Sequence, residues 1–348
     1  MKEFLLELFN NEILVYSLMA IVPLIWVIPF ALFAVWWERK ISAHMQDRLG
    51  PMRTGWHGWA QTIADILKLI QKEDIVPTAS DSLLFRLAPY LVFTGSYAAY
   101  AAIPFSAAYV GAEINIGLFY IISISSLVVV GLLMAGWASN NKWSIFGAVR
   151  SAAQMVSYEI PTALAVLIAV MITGSLNLQD ITKFQAGGIQ NWLIFGGPLP
   201  LLQKILITPF TVITFLVLFV ASLAEVNRTP FDLPEAESEL VQGFFTEYSG
   251  MRWALFYVAE YANMFLVAGV GVALFLGGWE SHFGTFLSGP IWGMFWFIIK
   301  GMVLVFFQIW LRWTLPRLRV DQLMYTSWKV LTPFLFVCII AIGLILVL

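Results

Sequence analysis

Long apolar runs alternate with short polar segments along almost the whole chain. Spanning a bilayer takes about 20 predominantly apolar residues in one helix. Eight runs reach that length, and they lie near residues 14–37, 83–105, 114–138, 150–173, 203–224, 253–277, 291–313 and 329–348. The pattern predicts an all-α polytopic membrane protein with eight transmembrane helices, forming a single membrane domain over residues 1–348.

The polar segment after the first run carries a different periodicity. Between about residues 56 and 72, apolar residues recur at helical spacing, and polar residues occupy the opposite side. The apolar side contains Trp59, Ile63, Ile66, Leu67 and Ile70. This spacing predicts an interfacial amphipathic helix lying flat on the membrane. It could serve as a simple anchor, or it could frame a lateral opening for a lipid-soluble substrate.

Composition agrees with a membrane location, and the charges orient the chain. Of the 348 residues, 60% are hydrophobic and 11% are charged, whereas soluble domains carry about 25% charged residues. Most of the 19 Lys and Arg residues fall in the loops after the first, third, fifth and seventh runs. The positive-inside rule places those loops in the cytoplasm. Both termini are then expected outside an energy-transducing membrane, such as the bacterial cytoplasmic (inner) membrane.

Ligands for redox cofactors are scarce in this sequence. There is one cysteine, Cys338, inside the last apolar run, and the three histidines show no metal-ligand spacing. An iron–sulfur cluster needs about four protein ligands. The sequence therefore predicts no metal site and no redox cofactor on this chain.

Carboxylates are concentrated in an acidic loop at about residues 225–252. An ionisable side chain inside a membrane protein is costly and faces an interior cavity by default. The candidates in and beside this loop are Glu159, Glu225, Asp232, Glu235, Glu237, Glu239, Glu247 and Glu260. Asp232 and Glu235 flank Pro234 with the spacing of a helix start, so they could be capping residues instead. Glu159, Glu225 and Glu260 have apolar neighbours on both sides, and this position favours a proton path over helix capping.

Five segments cover nearly every predicted cytoplasmic loop. They are ERKISAHMQDRLGP (38–51), IADILKLIQKE (63–73), GWASNNKWSIFGAVRSAAQMVSYEIP (136–161), LAEVNRTPFDLPEAESELVQGFFTEYSGMRWALFYVAEYANM (223–264) and TLPRLRVDQLMYTSWKVLTP (314–333). Together, and in this order, they resemble one family, the H subunits of proton-translocating NADH:quinone oxidoreductase, or respiratory complex I.

The resemblance implies roles for particular residues. The family's quinone-binding region maps onto Glu38, Arg39, Arg48, Asp65, Arg228 and Tyr257. Its proton path maps onto Glu159, Glu225, Asp232, Glu235, Glu239, Glu247 and Glu260. Its charged loops map onto Arg150, Arg312, Arg317 and Arg319.

The resemblance also implies a substrate and partners. Quinone would bind where this chain meets the peripheral-arm quinone-site and Fe–S cluster subunits, with FMN and Fe–S clusters on partner subunits. Small and antiporter-like membrane-arm subunits and lipid would be the other neighbours, with no nucleic acid. The alternatives are a homologous subunit of a membrane-bound hydrogenase or of a ferredoxin- or F420-linked dehydrogenase, an independent cation/proton antiporter, and a passive anchor. The chain shows no internal repeat of the kind found in transporters.

Overall fold

The described part of the chain is helical throughout. This computed structural model describes residues 12–234, 237–284 and 287–347, and within them the only β pairing is an isolated bridge between Pro104 and Val110. The α-helices of these residues are α1 (Glu12–Met45), α2 (Gln61–Gln71), α3 (Ser82–Ala98), α4 (Gly117–Ala138), α5 (Lys142–Thr173), α6 (Leu178–Phe184), α7 (Leu201–Glu225), α8 (Glu237–Leu240), α9 (Gly250–Phe275), α10 (Pro290–Thr314), α11 (Val320–Tyr325) and α12 (Thr332–Val347). A π-helical turn, Thr326–Leu331, joins the last two into one rod. The prediction of an all-α polytopic membrane protein is confirmed.

Seven of these rods are long and apolar enough to cross a membrane. They are Ser17–Met45, Gly117–Ala138, Lys142–Thr173, Leu201–Glu225, Gly250–Phe275, Pro290–Thr314 and Val320–Val347. The remaining predicted span, residues 83–105, is α3 followed by the 3-10 turn Ala99–Ala102. Helix α3 has 17 residues, slightly fewer than the roughly 20 that a span normally needs. The count of eight therefore stays a prediction.

Two helices extend well beyond the predicted runs on the side assigned to the cytoplasm. Helix α1 continues to Met45, and α5 begins at Lys142, where the Asn141 side chain accepts a hydrogen bond from the Trp143 amide. These extra turns carry charged residues that an apolar run excludes. In α1 they bring Glu38 and Arg39 onto the helix rather than into a loop.

Helix α9 lies at the centre of the bundle. It contacts α1, α2, α3, α7 and α10, and 83% of its most apolar stretch of residues is buried inside the bundle. Small residues such as Ala259, Ala262 and Gly269 on this helix are buried, and small residues let membrane helices approach closely. Side chains of α9 can therefore face several cavities at once.

The amphipathic segment consists of a 3-10 turn, Trp56–Gly58, followed by α2. Its apolar residues divide differently from the prediction. Ile66 and Asp65 both line a cavity beneath the helix, whereas Ile63, Leu67 and Ile70 are exposed. Asp65 and Ile66 can face the same cavity because neighbouring positions on a helix differ by only about 100°.

The acidic loop packs onto the bundle instead of extending from it. Gly147 of α5 meets the backbone of Gly243 so closely that a Cβ on Gly147 would lie 2.6 Å from the Gly243 Cα. The short helix α8 spans Glu237–Leu240. The Asp232 carboxylate accepts a hydrogen bond from Arg317 (3.4 Å). The capping interpretation, which also needs Glu235, lies partly outside the described residues and stays a prediction.

Candidate functional site

An apolar cavity lies between α1, α2 and α9. Its volume is about 110 Å³. Its walls are formed by Ile28, Ala31, Leu32, Val35, Arg39, Thr62, Asp65, Ile66, Leu69, Trp253, Ala254, Tyr257, Val258 and Tyr261. Ile28 is also 44% exposed on the outer side of α1, so the cavity reaches the lateral surface of the bundle. An apolar cavity with a few convergent polar groups is typical of a small-molecule site.

An ion pair marks the polar end of this cavity. The Arg39 guanidinium donates to the Asp65 carboxylate at 2.6 Å, and Gln61 donates to the other carboxylate oxygen at 3.1 Å. Arg39 and Asp65 keep 45% and 29% of their side-chain surfaces exposed, so the pair can open at modest cost. Arg48, predicted for the same region, donates to Gln46 and does not line this cavity.

Behind the ion pair, Glu38 is buried at the meeting point of three helices and a turn. Only 6% of Glu38 is exposed. It accepts hydrogen bonds from the Tyr261 hydroxyl (2.7 Å) on α9, from Arg228 (3.5 Å) after α7, and from Arg312 on α10. Glu38 therefore ties α1 to α9, to α10 and to the turn after α7.

Arg228 is the most deeply buried cation in this group. It is 4% exposed, and its guanidinium carbon lies 4.4 Å from the centre of the Tyr261 ring. Its Nε and Nη2 have no hydrogen-bond partner among the described residues. Burial opposes the charge, but Tyr261, Glu38 and Glu260 outweigh it and hold the pKa of Arg228 above its ordinary value. Since Arg228 and Arg312 share one carboxylate, the cluster of these three side chains carries a net positive charge.

A second, smaller cavity lies where the end of α7 meets α9. It is lined by Glu225 and Glu260, together with Asn227 and Asn263, and its volume is about 10 Å³. Gln154 fixes this end of α7, because its amide donates to the Ala224 carbonyl (2.8 Å) and to the Asn227 side chain (3.0 Å). Two of the predicted proton-path carboxylates thus share one cavity.

Glu159, the third carboxylate with apolar neighbours, lies on α5 and is partly buried. It lies near Glu225, and the helices that carry the two residues, α5 and α7, pack against each other. Proton exchange among Glu159, Glu225 and Glu260 stays a prediction.

The remaining acidic candidates lie away from this cavity. Glu239 forms a 2.5 Å ion pair with Arg150 and keeps 56% of its side chain exposed. Glu247 accepts a 2.6 Å hydrogen bond from Asn141. Glu235 lies outside the described residues. An exposed ion pair such as that of Glu239 contributes little stability, whereas Glu247 is partly buried where the acidic loop meets the start of α5.

The charged-loop arginines divide between the interior and the surface. Arg312 reaches Glu38, as described above. Arg317 contacts the largely buried Asp232. Arg319 pairs with Asp321, where the two side chains are 76% and 67% exposed. The structure therefore brings Arg312 into the site and leaves Arg319 at the surface.

Tyr261 was missed by reasoning from the sequence. It follows Tyr257 by four residues, and the two ring centres are 5.7 Å apart, so the pair forms one aromatic stripe along the cavity. That helical spacing was the available signal. The described residues contain no group of three His, Cys, Asp or Glu side chains that could hold a metal ion.

Comparison with known proteins points to one family. The family model described as NADH dehydrogenase matches residues 18–343. The chain is 54% identical to the H subunit of NADH-quinone oxidoreductase from Chlorobaculum tepidum over 328 residues, which is 91% of this chain and 88% of the relative. It is 47% identical to the H subunit from a Geobacillus species, with 92% and 90% of the two chains covered. It is 44% identical to the first of the H subunits of Geobacter sulfurreducens, with 97% and 98% covered.

Proposed function

This chain belongs to the NADH dehydrogenase family and is a membrane subunit of an NADH:quinone oxidoreductase, and we propose that it forms part of the quinone chamber and links quinone reduction to proton movement. The observation that carries the proposal is the position of Arg228. Its guanidinium carbon lies 4.4 Å from the centre of the Tyr261 ring, which lines the apolar cavity, and its charge interacts with Glu260, which lines the carboxylate cavity.

The apolar cavity suits the quinone, which is the substrate of this enzyme class. A quinone combines a flat ring and an apolar tail with two carbonyl oxygens. Apolar walls from α1 and α9 would take the ring and tail, while Arg39 and Tyr257 supply polar groups near the carbonyls. The exposed apolar face of α2 would lie in the membrane interface beside the cavity. A lipid-soluble substrate could therefore enter sideways, between α1 and α2.

The carboxylate cavity suits the uptake and release of protons. Electrons reach the quinone from partner subunits, and each reduced quinone takes up protons and changes the charge in the chamber. Arg228 and its cluster with Glu38 would transmit that change to Glu260 and Glu225, since Coulomb interactions are strong where water is excluded. The chain itself binds the substrate, orients it and holds protons.

The assembly around this chain follows from the same proposal. FMN and Fe–S clusters would be held by peripheral-arm subunits that close the chamber on the cytoplasmic side, and antiporter-like subunits would receive the protonation change within the membrane. The membrane would be the bacterial cytoplasmic membrane, with both termini outside. The hydrogenase-type and antiporter alternatives are not favoured, because the relatives described above are all named as H subunits of NADH-quinone oxidoreductases.

The test is the Glu225→Gln substitution in the assembled complex. Glutamine keeps the size and hydrogen-bonding groups of glutamate but cannot titrate. Proton pumping coupled to NADH:quinone activity should fall by at least tenfold, while NADH oxidation by a hydrophilic artificial acceptor stays normal. Glu113→Gln, the same change at an exposed outer-loop position, should leave pumping unchanged. Full pumping by the Glu225→Gln complex would refute the proton role.

A further inference from the structure

A buried lysine on α10 lies at the end of α9 that is farther from the acidic loop. Lys300 is only 5% exposed. Its ammonium group donates hydrogen bonds to three backbone carbonyls that follow the last residue of α9, those of Leu276 (2.8 Å), Gly278 (3.0 Å) and Glu280 (2.8 Å). The ammonium also lies 4.5 Å from the centre of the Trp192 ring, and the face of an aromatic ring attracts cations. The three carbonyls therefore form a cage that holds the positive charge of Lys300.

The position of Lys300 along α10 places it well inside the membrane. It follows Pro290, the first residue of α10, by ten positions, which corresponds to about 15 Å of helix. Its neighbours Ile299 and Val303 are apolar and exposed on the outside of the bundle, as expected for residues that face lipid. A charged side chain at such a depth is costly and marks a functional site by default. The carbonyl cage offsets that cost, because it supplies the oxygen partners that water would supply at the surface.

Backbone carbonyls at the C-terminal end of a helix have the chemistry of a cation site. The helix dipole places about half a negative charge at that end, and carbonyl oxygens replace the hydration shell of monovalent cations in channels and transporters. Two more carbonyls of α9, those of Ala273 (3.0 Å) and Leu274 (3.2 Å), accept hydrogen bonds from the Gln185 side chain. Within the described residues, no ion pair links Lys300 to a carboxylate. The ammonium is therefore held by neutral oxygens, as a bound metal cation would be.

We propose that the carbonyl cage at this end of α9 is a monovalent-cation site that the protein fills with its own tethered cation, the Lys300 ammonium. While the ammonium occupies the cage, a soluble cation such as Na⁺, K⁺ or hydronium finds no free oxygen ligands there and is repelled by a fixed positive charge. Lys300 therefore seals this end of α9 against cations. This role requires neither quinone binding nor proton transfer at the two cavities described above, so it is independent of the proposed function.

The direct test is chemical rescue of the Lys300→Ala variant in the whole complex. The substitution leaves the cage carbonyls without a donor, so the half-life of quinone reductase activity on heating should fall by about tenfold. Propylammonium, which can occupy the space of the missing side chain, should lengthen that half-life several times, whereas propanol at the same concentration should not. Lys183→Ala, at an exposed position of α6 two residues before Gln185, is the control and should respond to neither. A Lys300→Ala complex as stable as the native one, or equal rescue by propanol, would overturn the cation site.

The second test measures the seal without turnover. Lys300→Gln keeps an amide that can donate to the cage carbonyls but removes the charge, so it remains informative if Lys300→Ala does not assemble. In proteoliposomes without NADH or quinone, an imposed pH gradient should decay several times faster with Lys300→Gln than with the native complex. Glu280→Gln removes a negative charge that interacts with Lys300 and leaves the ammonium in place, and it should not accelerate the decay. An unchanged decay with Lys300→Gln would refute the sealing role, whatever the outcome of the rescue.

Discussion

The Glu38→Gln substitution removes the negative charge that Arg228 and Arg312 share. It keeps the length of the side chain and an oxygen that can accept the hydrogen bond from Tyr261. Any large effect therefore comes from charge and not from a cavity. The substitution tests whether Glu38 holds the inner end of the apolar cavity together.

The magnitude follows from the burial of the two arginines. The side chain of Arg228 is 4% exposed and that of Arg312 is 18% exposed, so neither is well solvated once its partner is neutral. Removing one partner from a buried ion pair costs about 3–5 kcal/mol, because the other charge stays buried. Arg228 already has two nitrogens without a hydrogen-bond partner among the described residues. We expect a loss at the upper end of that range.

Heat inactivation of the assembled complex is a suitable assay. A loss of about 3–5 kcal/mol should shorten the inactivation half-life by at least tenfold, even if only part of it appears in the unfolding rate. Adding Arg228→Met to Glu38→Gln removes the stranded charge, and about 2 kcal/mol or more should return. Asp321→Asn, which breaks the exposed pair with Arg319, is the control and should change little. If the double variant is no more stable than Glu38→Gln alone, the charge-sharing argument fails.

Two further predictions concern the mouth of the cavity and the orientation of the chain. Asp65→Ala should raise the KM for a long-tailed quinone more than for a short one, because contacts made equally in the ground state and the transition state affect KM. Equal increases for the two quinones would show that Asp65 does not lie at the entrance of the cavity. A cysteine placed at exposed Arg53 should react with a membrane-impermeant maleimide from the cytoplasmic side, and one at exposed Gln190 from the outside, over a low background because Cys338 is buried. Labelling of both positions from the same side would contradict the proposed orientation.

Much of the helical architecture could be predicted because lipid imposes a simple rule on the sequence. Every backbone polar group inside the membrane must be bonded within its own helix, so apolar runs correspond to rods. The rule does not indicate where a helix continues beyond the membrane. The last turns of α1, which end at Met45, and the first turns of α5, which begin at Lys142, were therefore missed. It is also weak for α3, where a 3-10 turn replaces the last helical turn.

The site was predictable in its residue types but not in its pairings. Apolar flanks singled out Glu225 and Glu260, and the structure places both at one cavity. Glu38 is 190 residues from Arg228 and 274 from Arg312 along the chain. Rules based on local residue spacing cannot predict pairs that are so far apart in sequence. Arg312 falls in the last turn of the predicted run 291–313, whereas Arg319 lies beyond its end, and this difference alone did not reveal that Arg312 reaches Glu38.

The geometry of α9 explains how one helix can connect substrate binding to protonation. Glu260 and Tyr261 are adjacent, and successive side chains on an α-helix point about 100° apart. Tyr261 lines the apolar cavity and bonds to Glu38, whereas Glu260 lines the carboxylate cavity. Under the proposed function, a charge change at the quinone that alters the environment of Tyr261 and Arg228 would reach Glu260 without any movement of the helix. Coupling of this kind needs only rigid packing, and α9 is the most buried of the membrane-spanning helices in the described chain.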